Sequence, residues 1–194
     1  MMSRIRRTGL AVAAIVAIAL VSVSCTHQNE EANKKEDVKS VSQTLTEETA
    51  HQQIVSYLQK TADETGVGFS LTSDGNNHGS PLQPGGLMPC YDGNKEQGAH
   101  QVQAEYWVVG IPAGQLPRYK TLLQDTWTKW GWKLDPEATP TLAGVATPDN
   151  YSFILQDAGK GDGWLSVTAA SPCFPFEGNG ATTPLPSEIH RRTS

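Results

Sequence analysis

Residues 101–111 read "QVQAEYWVVGI", and their alternation decides the fold class. Val102, Ala104, Tyr106 and Val108 fall on one side of an extended chain, and Trp107, Val109 and Ile111 fall on the other. A strand that is apolar on both faces near its end is covered at least partly on both, so it belongs in the middle of a sheet. The remaining elements are placed around it.

Directly after it, "PAGQLPRYKTLLQDTWTKWGW" (112–132) switches to helical spacing. Pro117 suits a first turn, Tyr119, Leu122, Leu123, Thr126, Trp127 and Trp130 lie along one flank, and Gly131 supplies the stop. Upstream, "TLTEETAHQQIVSYLQKTADETG" (44–66) has Thr44 and Glu47 at capping-box spacing. Its apolar ridge is Ala50, Ile54, Leu58 and Ala62, and Gly66 is placed to end the helix in a left-handed conformation. In "VGFSL", Val67, Phe69 and Leu71 alternate as in a half-buried strand. Two more strands are expected in "YSFILQ" (151–156) and "WLSVTA" (164–169), joined by the glycine-punctuated "DAGKGDG", and a short one starts near Trp132.

The order α-β-β-α-(β)-β-β predicts an α+β fold. A mainly antiparallel sheet of four to five strands, with two helices packed on one face, buries all the stripes together. The folded domain is expected over 44–176, long enough for one core and short for two. Residues 177–194 are rich in Pro and Gly and lack periodicity, so a disordered tail is expected there, with Phe174 and Phe176 packing back on the domain.

The first 24 residues have the parts of an export signal. Arg4, Arg6 and Arg7 precede an uncharged apolar run from Gly9 to Val21, which is 13 residues long. A spanning helix needs roughly 20, so a cleaved signal fits better. In "LVSVSCTHQNEE" (20–31), small residues lead into Cys25 as in a lipobox, where the thiol takes a diacylglyceryl group and becomes the mature N-terminus. Ser22 stands where a lipobox usually carries an apolar residue, and the alternative is an ordinary secretory signal with Cys25 unlipidated. Residues 26–43 offer only Val38 and Val41 as sizeable apolar groups, and 25–43 therefore reads as a lipidated cysteine followed by a flexible tether.

The chain carries 15 basic and 20 acidic residues, a net charge of −5. Loss of the three leader arginines leaves 12 basic against 20 acidic side chains, a balance of −8. That sign argues against a phosphate-backbone partner, and no nucleic acid is expected.

Once Cys25 is assigned to lipid, Cys90 and Cys173 remain as an even pair in a compartment that permits disulfides. A structural disulfide is expected. A redox pair or metal site is the alternative, with neither a C-x-x-C spacing nor a histidine near Cys173 to favour it. The stretch "DGNNHG" (74–79) starts like an EF-hand loop, but position twelve of that frame is Gly85 where a bidentate Glu is needed, so turn chemistry explains it and no metal is expected.

The lipobox-like start, Cys90 before the long strand, a helix followed by a Gly-containing aromatic turn, "DNYSFILQ" (149–156) and "SPCFPF" (171–176) ahead of a Pro-rich tail resemble actinobacterial lipoproteins of the mycobacterial LppA type. The resemblance covers most of the mature chain. It implies an α+β domain at the outer face of the plasma membrane with matching cysteines at Cys90 and Cys173. It implies no established activity and no catalytic residues.

Function is therefore expected to be binding: a membrane-anchored module for a small ligand, glycan or envelope protein, without cofactor or catalytic set. Trp132 and Trp164, at turns beside glycine and polar residues, are the possible ligand contacts if exposed. Trp127 and Trp130 are three apart on one helix face and read as core. The alternative is an envelope hydrolase whose site is assembled in space, since neither G-x-S-x-G, H-E-x-x-H, a P-loop nor a dinucleotide fingerprint occurs. His51 reads as a surface or boundary residue beside the apolar ridge.

Overall fold

A computed structural model describes residues 41–72, 82, 85–91, 98–157, 164–176 and 183–192, all within one compact unit spanning Asp37–Ser194. The leader, Cys25, the tether up to residue 40, the "DGNNHG" segment and most of "DAGKGDG" lie outside the described residues.

The first helix, α1 (Glu47–Thr65), begins two residues later than the capping-box spacing predicts. Thr46 is the N-cap. Its hydroxyl accepts from the Thr49 backbone N–H, and the Thr49 hydroxyl accepts from the Thr46 N–H, so a threonine closes the box in place of Glu47. Gly66 ends the helix as expected, at φ 78° with its N–H on the Ala62 carbonyl. Ala50, Ile54, Leu58 and Ala62 are fully buried, as their spacing predicts. Each large aliphatic among them contributes roughly 1.5–3 kcal/mol relative to exposure.

The strands are β1 (Gly68–Ser70), β2 (Gly86–Pro89), β3 (Gly98–Val109), β4 (Lys133–Leu134), β5 (Leu142–Ala146), β6 (Ser152–Asp157), β7 (Leu165–Ala170), β8 (Phe174–Phe176) and β9 (Glu188–Ile189). The second helix, α2 (Leu116–Lys129), follows β3. The sheet is antiparallel in the order β4-β5-β6-β7-β3-β1-β9, and β2 and β8 pair with the first half of β3. The α+β class and the central place of β3 are as expected. The count of four to five strands and the expected order are not: among the described residues the sheet has nine, because β2, β8 and β9 are only two to four residues long and Gly144 breaks the apolar run of β5.

On β3 the even residues from His100 to Val108 are buried and the odd ones are half-buried. The buried face joins Ala143, Val145, Phe153, Leu155, Val167 and Ala169 of β5 to β7 in one core with the ridges of both helices. Both helices thus cover the same face. On α2 the buried residues are Lys120, Leu123, Thr126 and Trp127, whereas Leu122 is 37% exposed, so the apolar flank is narrower than its sequence spacing predicts. Trp127 donates its indole N–H to Thr61 Oγ1 across 3.0 Å and so pins α2 to α1 without leaving a buried donor unpaired.

Between β7 and β8 the register on β3 slips by one residue, since Ala170 faces Gln103 and Phe174 faces His100. This is a β-bulge at Ser171–Cys173. Ser171 stitches it with both its backbone N–H on the Val102 carbonyl and its hydroxyl accepting from the Val102 N–H. At the bulge Cys173 bonds Cys90, which follows β2 on the opposite flank of β3, with the Cα atoms 6.2 Å apart. The expected disulfide is present.

The expected disordered tail is corrected over 183–192. Leu185 and Ile189 are buried, β9 adds to the edge of β1, the Tyr106 hydroxyl donates to the Pro186 carbonyl, and the Arg192 side chain and backbone N–H both bind the Asp63 carboxylate. Phe174 is buried and Phe176 packs against the core, as expected. The tether also ends earlier than 43. Val41 forms a parallel bridge with Cys173, and the Ser42 N–H bonds the Cys173 carbonyl at 2.8 Å.

Candidate functional site

Where the chain enters the domain it borders an open groove of about 590 Å³. One wall is Val41, Ser42, Thr44 and Leu45, held to the bulge through Cys173. Thr49 and Gln53 of α1 form the second, Pro172 contributes from the bulge, and Asp149, Asn150 and Tyr151 close it from the β5–β6 connection.

That connection, "TPDN", is built by turn chemistry. Pro148 favours the first bend, the Asn150 N–H bonds the Thr147 carbonyl at 3.0 Å, and Asn150 is left-handed at φ 65°. Asparagine tolerates that conformation better than other residues with a Cβ. The Thr147 hydroxyl accepts from the Tyr151 N–H at 2.8 Å and donates to Asp149 Oδ1 at 2.6 Å. Across the gap, Tyr57 of α1 donates its phenol to the same oxygen at 2.7 Å. Two hydroxyls on one oxygen fix the plane of the Asp149 carboxylate, and its Oδ2 has no hydrogen bond to a described residue.

Burial, and secondarily the hydrogen bond to Asp149, push the Tyr57 phenol above its usual range. Tyr151 is pushed up to about 12, chiefly by burial and then by the charges of Asp149 and Tyr57. Both phenols are therefore neutral at physiological pH, and that of Tyr57 is the hydrogen-bond donor to Asp149.

Behind the groove lies an aromatic cluster. Trp132 stacks on Trp127 (5.6 Å) and on Phe153 (5.1 Å), whose own rings are 5.8 Å apart, and meets Tyr57 edge-on at 5.0 Å. It is 5% exposed, so the expectation of a ligand contact at Trp132 is corrected: its Gly-flanked position is a helix exit that turns the ring inward. Trp164 is half-buried on the opposite, open face of the sheet, where it meets Trp107 edge-on at 5.9 Å. The two tryptophans are thus separated by the sheet and do not form a common site. Trp127 is core, as expected, and Trp130 is partly buried beneath the Lys60 ammonium.

His51 is a boundary residue, as expected. Its Nδ1 lies 3.1 Å from the Thr183 carbonyl oxygen and its Nε2 lies 3.8 Å from Glu47 Oε1. Among the described residues no group of three or more His, Cys, Asp or Glu is placed to hold a metal ion, and no described helix is long and apolar enough to cross a membrane.

Gln53, Asp149 and Asn150 were not distinguishable as site residues in the sequence. The turn signal in "TPDN" is visible there, but its approach to Gln53 and Val41 depends on the folded sheet. No family model, curated protein or solved structure matches the chain.

Proposed function

We propose that this protein is a lipid-anchored, extracytoplasmic lipoprotein of the LppA type that serves as a non-catalytic binding module of the cell envelope, its groove being the binding site. One observation carries the reading: the first described residues after the tether, Val41 to Leu45, are themselves a wall of the groove. From Cys25 to Val41 the chain runs 16 residues, which at ~3.5 Å each sets an outer reach of about 55 Å from the lipid. A site so placed meets ligands or partners close to the membrane surface. The Cys90–Cys173 bond supports the location, because such bonds persist in oxidising compartments. Two acyl chains on Cys25 would hold the domain durably, at roughly 0.8 kcal/mol per buried methylene.

The mass of the chain isolated from its own cells tests this. Under denaturing, non-reducing conditions the expected mass begins at Cys25, includes a diacylglyceryl group and lacks two hydrogens for the disulfide. An unmodified Cys25 would remove the anchor from the reading. A native mass above the denatured one would show a retained ligand or partner, and a preparation that binds nothing presented by the envelope would remove the binding role.

A further inference from the structure

We infer that the groove binds a neutral, polyhydroxylated ligand, a saccharide, through Asp149, Asn150 and Gln53; this rests on the reading of the groove as the binding site. The charge pattern excludes the commonest alternative first. The described residues lining the groove include a carboxylate and neither Lys, Arg nor His, so a phosphate or carboxylate ligand would meet repulsion with no compensating cation among them.

The polar groups can both donate and accept. Asn150 presents an amide at the exposed turn, and Gln53 adds a second amide, one of whose N–H groups faces the Tyr57 phenol oxygen. Each amide offers a carbonyl oxygen that a cation can use and an N–H donor that it cannot, so a group that both donates and accepts uses more of these atoms. A hydroxyl both donates and accepts. One hydroxyl donating to Asp149 Oδ2 while accepting from Asn150 satisfies both neighbours at once.

The carboxylate is prepared for this. Tyr57 and Thr147 saturate Oδ1 and fix the plane, so little side-chain freedom is lost when Oδ2 is used. Leu45 and Pro172 supply the apolar surface on which the C–H face of a sugar ring would lie. The volume of about 590 Å³ is within the range of small-ligand sites.

The test uses the full chain in a non-glycosidic detergent, with saturation-transfer NMR on four neutral probes: methyl α-mannoside, methyl β-galactoside, methyl β-glucoside and trehalose. Inorganic phosphate and ethylammonium serve as competitors. At least one saccharide is expected to bind in the millimolar range. Its affinity should fall at least 5-fold in Asp149→Asn and in Asn150→Gly, the latter with an unchanged thermal midpoint. Asn150→Gly keeps the turn and removes the amide, so it separates recognition from folding; Gln53→Ala is a third variant outside the turn. The inference is overturned if none of the four probes receives saturation, if the binding is unchanged in all three variants, or if phosphate or ethylammonium displaces the saccharide. A chain with unmodified Cys25 that still binds the saccharide removes the anchor alone, and a lipidated chain that binds none removes the ligand class alone.

Discussion

The phenol of Tyr57, midway along α1, donates to Oδ1 of Asp149, in the turn between β5 and β6, across 2.7 Å and 92 residues of sequence. This bond ties the helical layer to the sheet at the edge of the groove. Its loss in Tyr57→Phe leaves Asp149 with the Thr147 hydroxyl alone. A bond to a charged acceptor contributes roughly 1.5–3 kcal/mol, and partial exposure here places the expected cost near the lower end, about 1.5 kcal/mol. Urea unfolding of Tyr57→Phe, Asp149→Asn and the double variant gives the coupling. A coupling near zero would show that the bond does not hold the layers together.

The turn itself makes a second prediction. Asn150 is the one non-glycine residue with positive φ among those described. Asn150→Ala places a residue with no side-chain compensation in the left-handed region and is expected to cost about 1 kcal/mol. Asn150→Gly relieves that strain and should stay within a few tenths of the parent. Equal midpoints for the two variants in urea would show that the turn carries no backbone strain.

The predictions just made concern contacts that no local pattern announces, whereas much of the frame was legible. α1 followed from the four-residue spacing of Ala50, Ile54, Leu58 and Ala62, and β3 from strict alternation, because burial on one face imposes a period that the sequence must carry. The cap was misplaced by two residues because Thr44 and Thr46 offer the same hydroxyl, and folding selects the one that Thr49 can reciprocate. β5 was hidden by Gly144, whose missing side chain makes room for Asp135, 3.1 Å from where a Cβ would stand. β9 has two residues, and its order comes from Leu185 and Ile189 burying against distant elements. The groove joins Val41, Gln53, Asp149 and Pro172, four positions whose proximity is entirely tertiary.

Removal of the disulfide should be the most destabilising single chemical change. The bond closes a separation of 83 residues, for which the chain-entropy model gives roughly 4.5 kcal/mol. It also anchors the bulge on which Ser42 docks. The double variant Cys90→Ala, Cys173→Ala is therefore expected to lose about 4 kcal/mol in denaturant unfolding and to expose the 41–45 segment to limited proteolysis. A loss below 1 kcal/mol with proteolysis unchanged would show that strand pairing alone holds the bulge.

The C-terminal strap is predicted to respond to acid. Asp63 accepts from the Arg192 guanidinium and backbone N–H, and these hydrogen bonds lower its carboxyl to about 2. The folded value lies below the unfolded value of roughly 3.9, so the contact contributes fully above that pH and is lost as pH falls through about 2. A side-chain carboxyl NMR titration should place Asp63 near 2 in the parent and return it toward ~3.9 in Arg192→Gln. Amide exchange at Ile189, where β9 meets β1, should quicken in that variant at neutral pH, as it should in the parent below pH 3. An Asp63 titration unchanged by Arg192→Gln would assign the depression to another group, and unchanged exchange at Ile189 would mean that the buried Leu185 and Ile189 hold the strap without the ion pair.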